Sequence, residues 1–141
     1  MKPLAHIAAS GIISIAVGIY FKSIGCAAIS LAAGVLVDAD HFIDYYTSHP
    51  FTIRIKYIYN ACEEIRIKKL YVILHSYELV LILWLAIFAL SLSDYWKAAA
   101  IGLTQHILFD QFTNPIGRLG YFVIYRMIRG FKKELLVTLK D

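Results

Sequence analysis

Apolar residues along this chain gather into long blocks parted by short polar breaks, with a mixed amphipathic stretch in the middle. About 20 consecutive apolar residues cross a bilayer as a helix, so the blocks predict spanning helices. The first, 3–21, is broken only by His6, Ser10 and Ser14, and Pro3 suits a helix start. A tight turn at Lys22-Ser23 leads to the second, 24–41, whose apolar part ends at Val37. The third, 71–92, is the most apolar, and Ser93-Asp94-Tyr95 turns the chain into the fourth, 96–112. Thr113-Asn114-Pro115 closes that block, because proline cannot continue a helix comfortably. Gly11, Gly18, Gly25 and Gly34, with neighbouring alanines, suit close helix packing in lipid.

Between the second and third blocks the pattern changes. Ile53, Ile55, Tyr57, Ile58, Ile65 and Ile67 mingle with Arg54, Lys56, Glu63, Glu64, Arg66, Lys68 and Lys69. This predicts amphipathic helix at a membrane surface over 51–70. Ile53–Tyr57 alternates like a strand, but a lone strand at a bilayer would leave its backbone groups unpaired. Segment 116–131, apolar but for Arg118, Arg126 and Arg129, is expected to be interfacial as well. The expected fold is all-α: a polytopic membrane four-helix bundle with amphipathic interfacial helices, one integral-membrane domain over 1–141.

Composition agrees with that reading. The chain is 60% hydrophobic and 17% charged, against about 45–50% and about 25% in soluble domains. The net charge of +4 would otherwise suggest nucleic acid as a partner. Here the basic residues have a topological use, and no direct nucleic-acid role is expected. Arg54, Lys56, Arg66, Lys68 and Lys69 lie in the long loop; Arg118, Arg126, Arg129, Lys132, Lys133 and Lys140 follow the fourth block. Basic loops stay cytoplasmic. The chain is therefore expected in the inner (cytoplasmic) membrane with both termini cytoplasmic. Seven tyrosines, Tyr45, Tyr46, Tyr57, Tyr59, Tyr71, Tyr121 and Tyr125, fit an interfacial aromatic belt. Residues 3–21 resemble a signal peptide, but Lys22 and Ser23 stand where apolar residues are wanted, so the segment is read as a retained span. Cys26 and Cys62 have no spacing motif and are expected as small hydrophobes.

On that topology the ionisable residues fall at one face. His6 sits near the inner end of the first span, Asp38, Asp40 and His41 at the inner end of the second. His75 and Glu78 open the third, and His106 and Asp110 lie in the inner half of the fourth. Asp38/His41 and His75/Glu78 are three apart and His106/Asp110 four apart, spacings that share one helix face. Ionisable groups in lipid are costly and turn inward toward partners, and a metal ion partners all of them at once. The expected metal ligands are His6, Asp38, His41, His75, Glu78, His106 and Asp110, with Asp40 as ligand or general base. His49, in Ser48-His49-Pro50, reads as a loop residue, Asp44 as a solvated cap, and Ser76 as packing or bonding to its own helix backbone.

The series of short motifs resembles a known family. Ala5-His6 with Gly11, Val37-Asp38-Ala39-Asp40-His41, His75-Ser76, and His106 to Asp110 with Thr113 and Gly117 occur in order along nearly the whole chain. They resemble the membrane-bound metal-dependent hydrolases, some of which are described as LexA-binding inner-membrane proteins. The family pattern has Pro before Asp-x-Asp-His, where this chain has Val37, and a His-Arg-Gly-x-Thr run where Leu70–Leu74 stands. More distantly, His-x-x-x-Asp is similar to the zinc-dependent phospholipase C and P1 nuclease group, which implies a phosphoester substrate.

The expectation is an integral-membrane metal-dependent hydrolase that cleaves an ester or phosphoester of a lipid-like substrate. The donor set suits one or two divalent ions, zinc first, with manganese or iron as alternatives. Arg66, Lys69 and Arg118 are candidates to bind an anionic substrate group. The alternatives are a metal-ion transporter, whose site would lie nearer the midplane with symmetry-related repeats, and a membrane protein with structural or regulatory duties that metal merely staples together.

Overall fold

The computed structural model describes residues 3–63 and 66–137. The fold is all-α, and among the described residues no strand forms; two isolated bridges, Lys69 with Lys132 and Ile116 with Val137, are the only β-like pairings there. Helix α1 (Pro3–Phe21) runs to a turn in which Lys22 takes a positive φ of 51°, and Ser23 caps α2 (Ile24–Leu36) by accepting from Cys26 N at 3.2 Å. A 3-10 turn (Val37–Asp40) continues α2 into α3 (His41–Tyr46). Together these make one helix, Ile24–Tyr46, that is long and apolar enough to cross a membrane; Ala5–Phe21 of α1 and a later helix, Tyr77–Ala89, are shorter apolar helices.

Helix α4 (Ile55–Glu63) packs on α3 through Tyr45, Ile58 and Ala61. Then the chain departs from expectation. Residues 71–76 are not helical: α5 covers Tyr77–Ala89 only. Ser76 is its N-cap and accepts from Leu79 N at 3.3 Å. The apolar run Tyr71–Leu74 continues the hydropathy of α5, but the Ser76 cap stops the helix from extending back over it. Helix α6 (Asp94–Thr113) follows, then a 3-10 turn (Arg118–Tyr121) and the short α7 (Val123–Ile128).

Of the two stretches expected as interfacial, 51–70 is helical only in α4 among its described residues, and 116–131 is broken into two short turns of helix. The reason is mutual pairing. Leu70 N donates to Phe131 O at 2.9 Å, and Ile67, Leu70, Val72 and Leu136 form a small core with Tyr125 and Val137. Residues 66–76 and 116–137 thus make an irregular cap over one end of the helices.

Within the bundle, α2 packs against both α1 and α6, and α5 packs on α6. Small residues set the spacing. A Cβ on Gly102 would run into the backbone oxygen of Ser30, and one on Gly34 would meet Ser10 Oγ at 2.8 Å and Gly102 O at 3.3 Å. Gly11, by contrast, has open space around it and takes no part in the contact. Two tyrosines leave the expected belt: Tyr45 and Tyr121 are buried. Cys26 is buried beside Val17 and Ala98, and the Cys62 side chain, Glu64, Ile65 and Lys140 lie outside the described residues.

Candidate metal centre

Polar side chains share the interior of this bundle with apolar ones. His6, Ser10 and Ser14 are buried along α1 while Ile7, Ile12, Ile15 and Ile19 are exposed. Ser30, Asp40, Asp44, His75, His106 and Asp110 are buried too. Buried polar groups need partners, and the partners are mostly one another.

The centre begins where Gly34 meets Gly102. With no Cβ between them, α2 and α6 approach closely enough for the Gly34 carbonyl to reach the His106 ring, one turn beyond Gly102. His106 Nδ1 donates to Gly34 O at 2.6 Å. A carbonyl can only accept, so the proton sits on Nδ1, and the neutral ring turns the Nε2 lone pair inward. His75 is fixed in the same sense from the loop. Its Nδ1 lies 3.0 Å from Asp40 Oδ1 and 3.2 Å from Oδ2, a carboxylate that also accepts from Leu74 N at 2.8 Å.

Both rings therefore aim Nε2 at the same point, and the two Nε2 atoms stand 3.2 Å apart. Asp38 Oδ1 lies 3.3 Å from each of them. Asp110 Oδ2 lies 3.4 Å from His75 Nε2 and 3.5 Å from His106 Nε2. Two lone pairs facing at this range repel unless a cation, a proton or a metal ion, sits between them. Donors bound to a tetrahedral ion at about 2.0–2.2 Å stand about 3.3–3.6 Å from one another, and the five separations just given, 3.2–3.5 Å, lie close to that spacing.

Two further rings complete the cluster. His6 Nε2 is 3.1 Å from Asp110 Oδ1, and neither ring nitrogen of His6, itself 3% exposed, makes a hydrogen bond. His41 Nε2 is 3.7 Å from Asp38 Oδ1. The donors fall into two groups, His6 with His106 and Asp110, and Asp38 with His41 and His75. The residues present thus fit a divalent metal: imidazole and carboxylate donors, converging, with each of two rings oriented by an acceptor behind it, as metal-bound histidines are. Six side chains exceed the four donors of a closed tetrahedral centre, which leaves room for a second ion.

Glu78 does not join them. Its carboxylate turns to the other side and accepts from Val123 N at 2.9 Å and Ile124 N at 3.1 Å, capping α7. The expected face shared with His75 fails because His75 precedes the helix. Asp40 lies behind His75, its Oδ2 accepting from Leu74 N at 2.8 Å and lying 3.2 Å from the His75 ring nitrogen. Asp44 is fully buried, not a solvated cap, and Oδ1 accepts from Tyr71 N at 2.7 Å and Val72 N at 3.3 Å. His49 stacks on Tyr45 outside the cluster. Arg66, Lys69 and Arg118 are exposed on the cap, with Lys69 Nζ 5.9 Å above the Tyr71 ring.

The residue that sequence reasoning passed over is Arg126. It is buried on α7 and donates from Nη1 to Tyr71 O and Val72 O, at 2.8 and 2.7 Å, and from Nη2 to His75 O at 2.9 Å. The loop that carries His75 is thus held at its amides by Asp44 and Asp40 and at its carbonyls by Arg126. An arginine flanked by apolar residues in Tyr125-Arg126-Met127-Ile128 was the available signal, since such a charge is buried against a partner or not at all. His75 stands in this loop, outside the long helices. Burial favours its neutral form, but its contacts with Asp38 and Asp40 outweigh that and raise its pKa to about 9.

No protein-family model, curated protein or solved structure matches this chain.

Proposed function

We propose that this chain is a multi-pass membrane protein and a metal-dependent hydrolase, acting on an ester or phosphoester of a lipid-like substrate at the cytoplasmic face. The observation that carries the metal is the pair of ring nitrogens, His75 Nε2 and His106 Nε2, facing each other at 3.2 Å with their other nitrogens already committed to acceptors. The membrane reading is supported by the distribution of side chains along α1, with His6, Ser10 and Ser14 inside and Ile7, Ile12, Ile15 and Ile19 outside. In water such an exterior would be an aggregation surface; in lipid it is the expected one. One helix satisfies the length and hydropathy of a span by itself; α1, α5 and α6 are proposed to cross alongside it.

His6, His106, Asp110, Asp38, His41 and His75 would hold the ion or ions. Bound there, a divalent metal supplies Lewis acidity and lowers the pKa of a water ligand to about 7. The chain's own residues do the rest. Asp40 and Gly34 O keep His75 and His106 in the tautomer that presents Nε2. The side chain of Asp38 is 32% exposed while those of His75, His106 and Asp110 are at 1% or below, so the approach for substrate is on the Asp38 side. Arg66, Lys69 and Arg118 are proposed to attract an anionic head group to that face.

The test is metal analysis of the purified protein followed by a panel of lipid phosphates. Wild type should carry at least stoichiometric transition metal and hydrolyse one member, and His106→Ala should do neither. Metal-free wild-type protein, or full activity in His106→Ala, would sink the proposal.

A further inference from the structure

The helices leave a seam open beside the candidate metal centre. Helix α2 packs on α1 and α6, and α5 packs on α6. Between α2 and α5 lies a groove of about 360 Å³, floored by Ala99 and Leu103 of α6 and walled by Ala33 and Leu36 on one side and Leu79 and Leu83 on the other. That volume lies within the range of about 300–1,000 Å³ typical of small-molecule sites. Its lining is aliphatic throughout. On α2 it runs from Ile29 to Val37, about 12 Å at 1.5 Å per residue, close to half of a hydrocarbon core of about 30 Å.

One end of the groove is tied to the chemistry. Val37 and Leu74 line it there. The next residues in the chain are Asp38 and His75, two of the converging donors, and Asp38 is the more exposed of them. At the same end Leu36 remains 65% exposed and Leu74 40% exposed. An occupant would therefore be apolar along a length of one leaflet and polar at one tip, with that tip beside the metal cluster.

We infer that the α2/α5 groove receives an acyl chain of the lipid substrate and thereby delivers the ester or phosphoester at its head to the Asp38–His75 side of the centre. This deepens the hydrolase reading and rests on its membrane part. The chain enters sideways from the bilayer, because both groove walls are lipid-facing helices. Selectivity then comes from groove length and from the small side chain of Ala33.

The test is photolabelling of the metal-loaded protein, in mixed micelles, with phosphatidic acid carrying a diazirine midway along one acyl chain. Labelling is mapped by mass spectrometry. Labels should concentrate on Ala33, Leu83 and Leu103, and Ala33→Phe, which projects into open groove space, should lose them while keeping wild-type metal content. Labels spread evenly over the outer isoleucines of α1 and the groove alike would overturn the inference, as would groove labelling that Ala33→Phe leaves intact. Hydrolysis of the same lipid is read in parallel. Groove labelling without hydrolysis keeps the binding site and removes the hydrolase; hydrolysis without groove labelling does the reverse.

Discussion

The candidate metal centre has two halves, and they are built differently. His6, His106 and Asp110 stand on the regular helices α1 and α6, buried to a few per cent, and are placed by helix packing, with His106 Nδ1 also bonded to Gly34 O. Asp38 and His41 stand on a 3-10 turn and the first turn of α3, and His75 on an irregular loop whose backbone is gripped by charged side chains. The first half is rigid because removing it means unpacking the bundle. The second is held by individually replaceable polar contacts, and it is the half with an exposed carboxylate. A rigid floor under an adjustable rim suits a site that must admit a substrate, since mobile elements come from the less stable parts of a fold.

The sharpest way to break this comparison is to delete one ligand from each half. His106→Ala or Asp110→Ala should leave no metal in the purified protein, whereas His41→Ala should retain it with weaker affinity. Equal losses in elemental analysis would mean that the two halves are one inseparable unit. Next in size is Gly102→Ala, aimed at the packed half. The added methyl meets the Ser30 backbone, and overpacking of this kind costs about 1–3 kcal/mol, to be read as a lowered midpoint of unfolding in detergent together with reduced metal retention.

The gripped half is tested by Arg126→Gln. Three loop carbonyls lose their donor, and metal affinity should fall about 10–100-fold, as when outer-shell partners are removed. Helix content should stay near wild type, and Arg126→Lys should restore part of the affinity. A fall in helix content equal to that of Gly102→Ala would assign Arg126 to packing. The smallest effect, taken one pH unit at a time, is that of pH. In the metal-free protein His75 keeps its proton up to about 9, and that proton competes with metal. Affinity should therefore weaken as pH falls below about 9, by about tenfold per unit for one displaced proton, and level off above it. Competition titration with a chelator across pH 6–10 checks the sign; affinity that rises on acidification contradicts it.

How much of this was legible in the sequence follows the same division. His106 and Asp110 could be paired from their spacing, because both lie on one uninterrupted helix where four residues fix a shared face. His75 and Glu78 have an equally good spacing and do not share a face, because Ser76 starts the helix between them. A serine followed two residues later by an acid is a helix-start signal, but the apolar run before it carried more weight in the reading. Arg126 and Asp44 were read as topology and as a cap, since their partners lie 27 to 55 residues away and no local pattern encodes such a distance. The all-helical class was legible from composition and blocks. The irregular cap was not, because pairing between 66–76 and 116–137 competes with the helix that either segment would form alone.

The grip of Arg126 on the His75 loop also sets an order of events during synthesis. Asp38, His41 and His75 are all made before α6 exists, yet the last donor to their loop lies near the end of the described chain. A ribosome-bound chain that stops after the third apolar helix carries these three residues with their loop carbonyls unclaimed. The loop gains its last three hydrogen bonds only once residue 126 has emerged and α7 has docked under Glu78. The rim of the candidate site is thereby the last part to set, after the helices beneath it are already present.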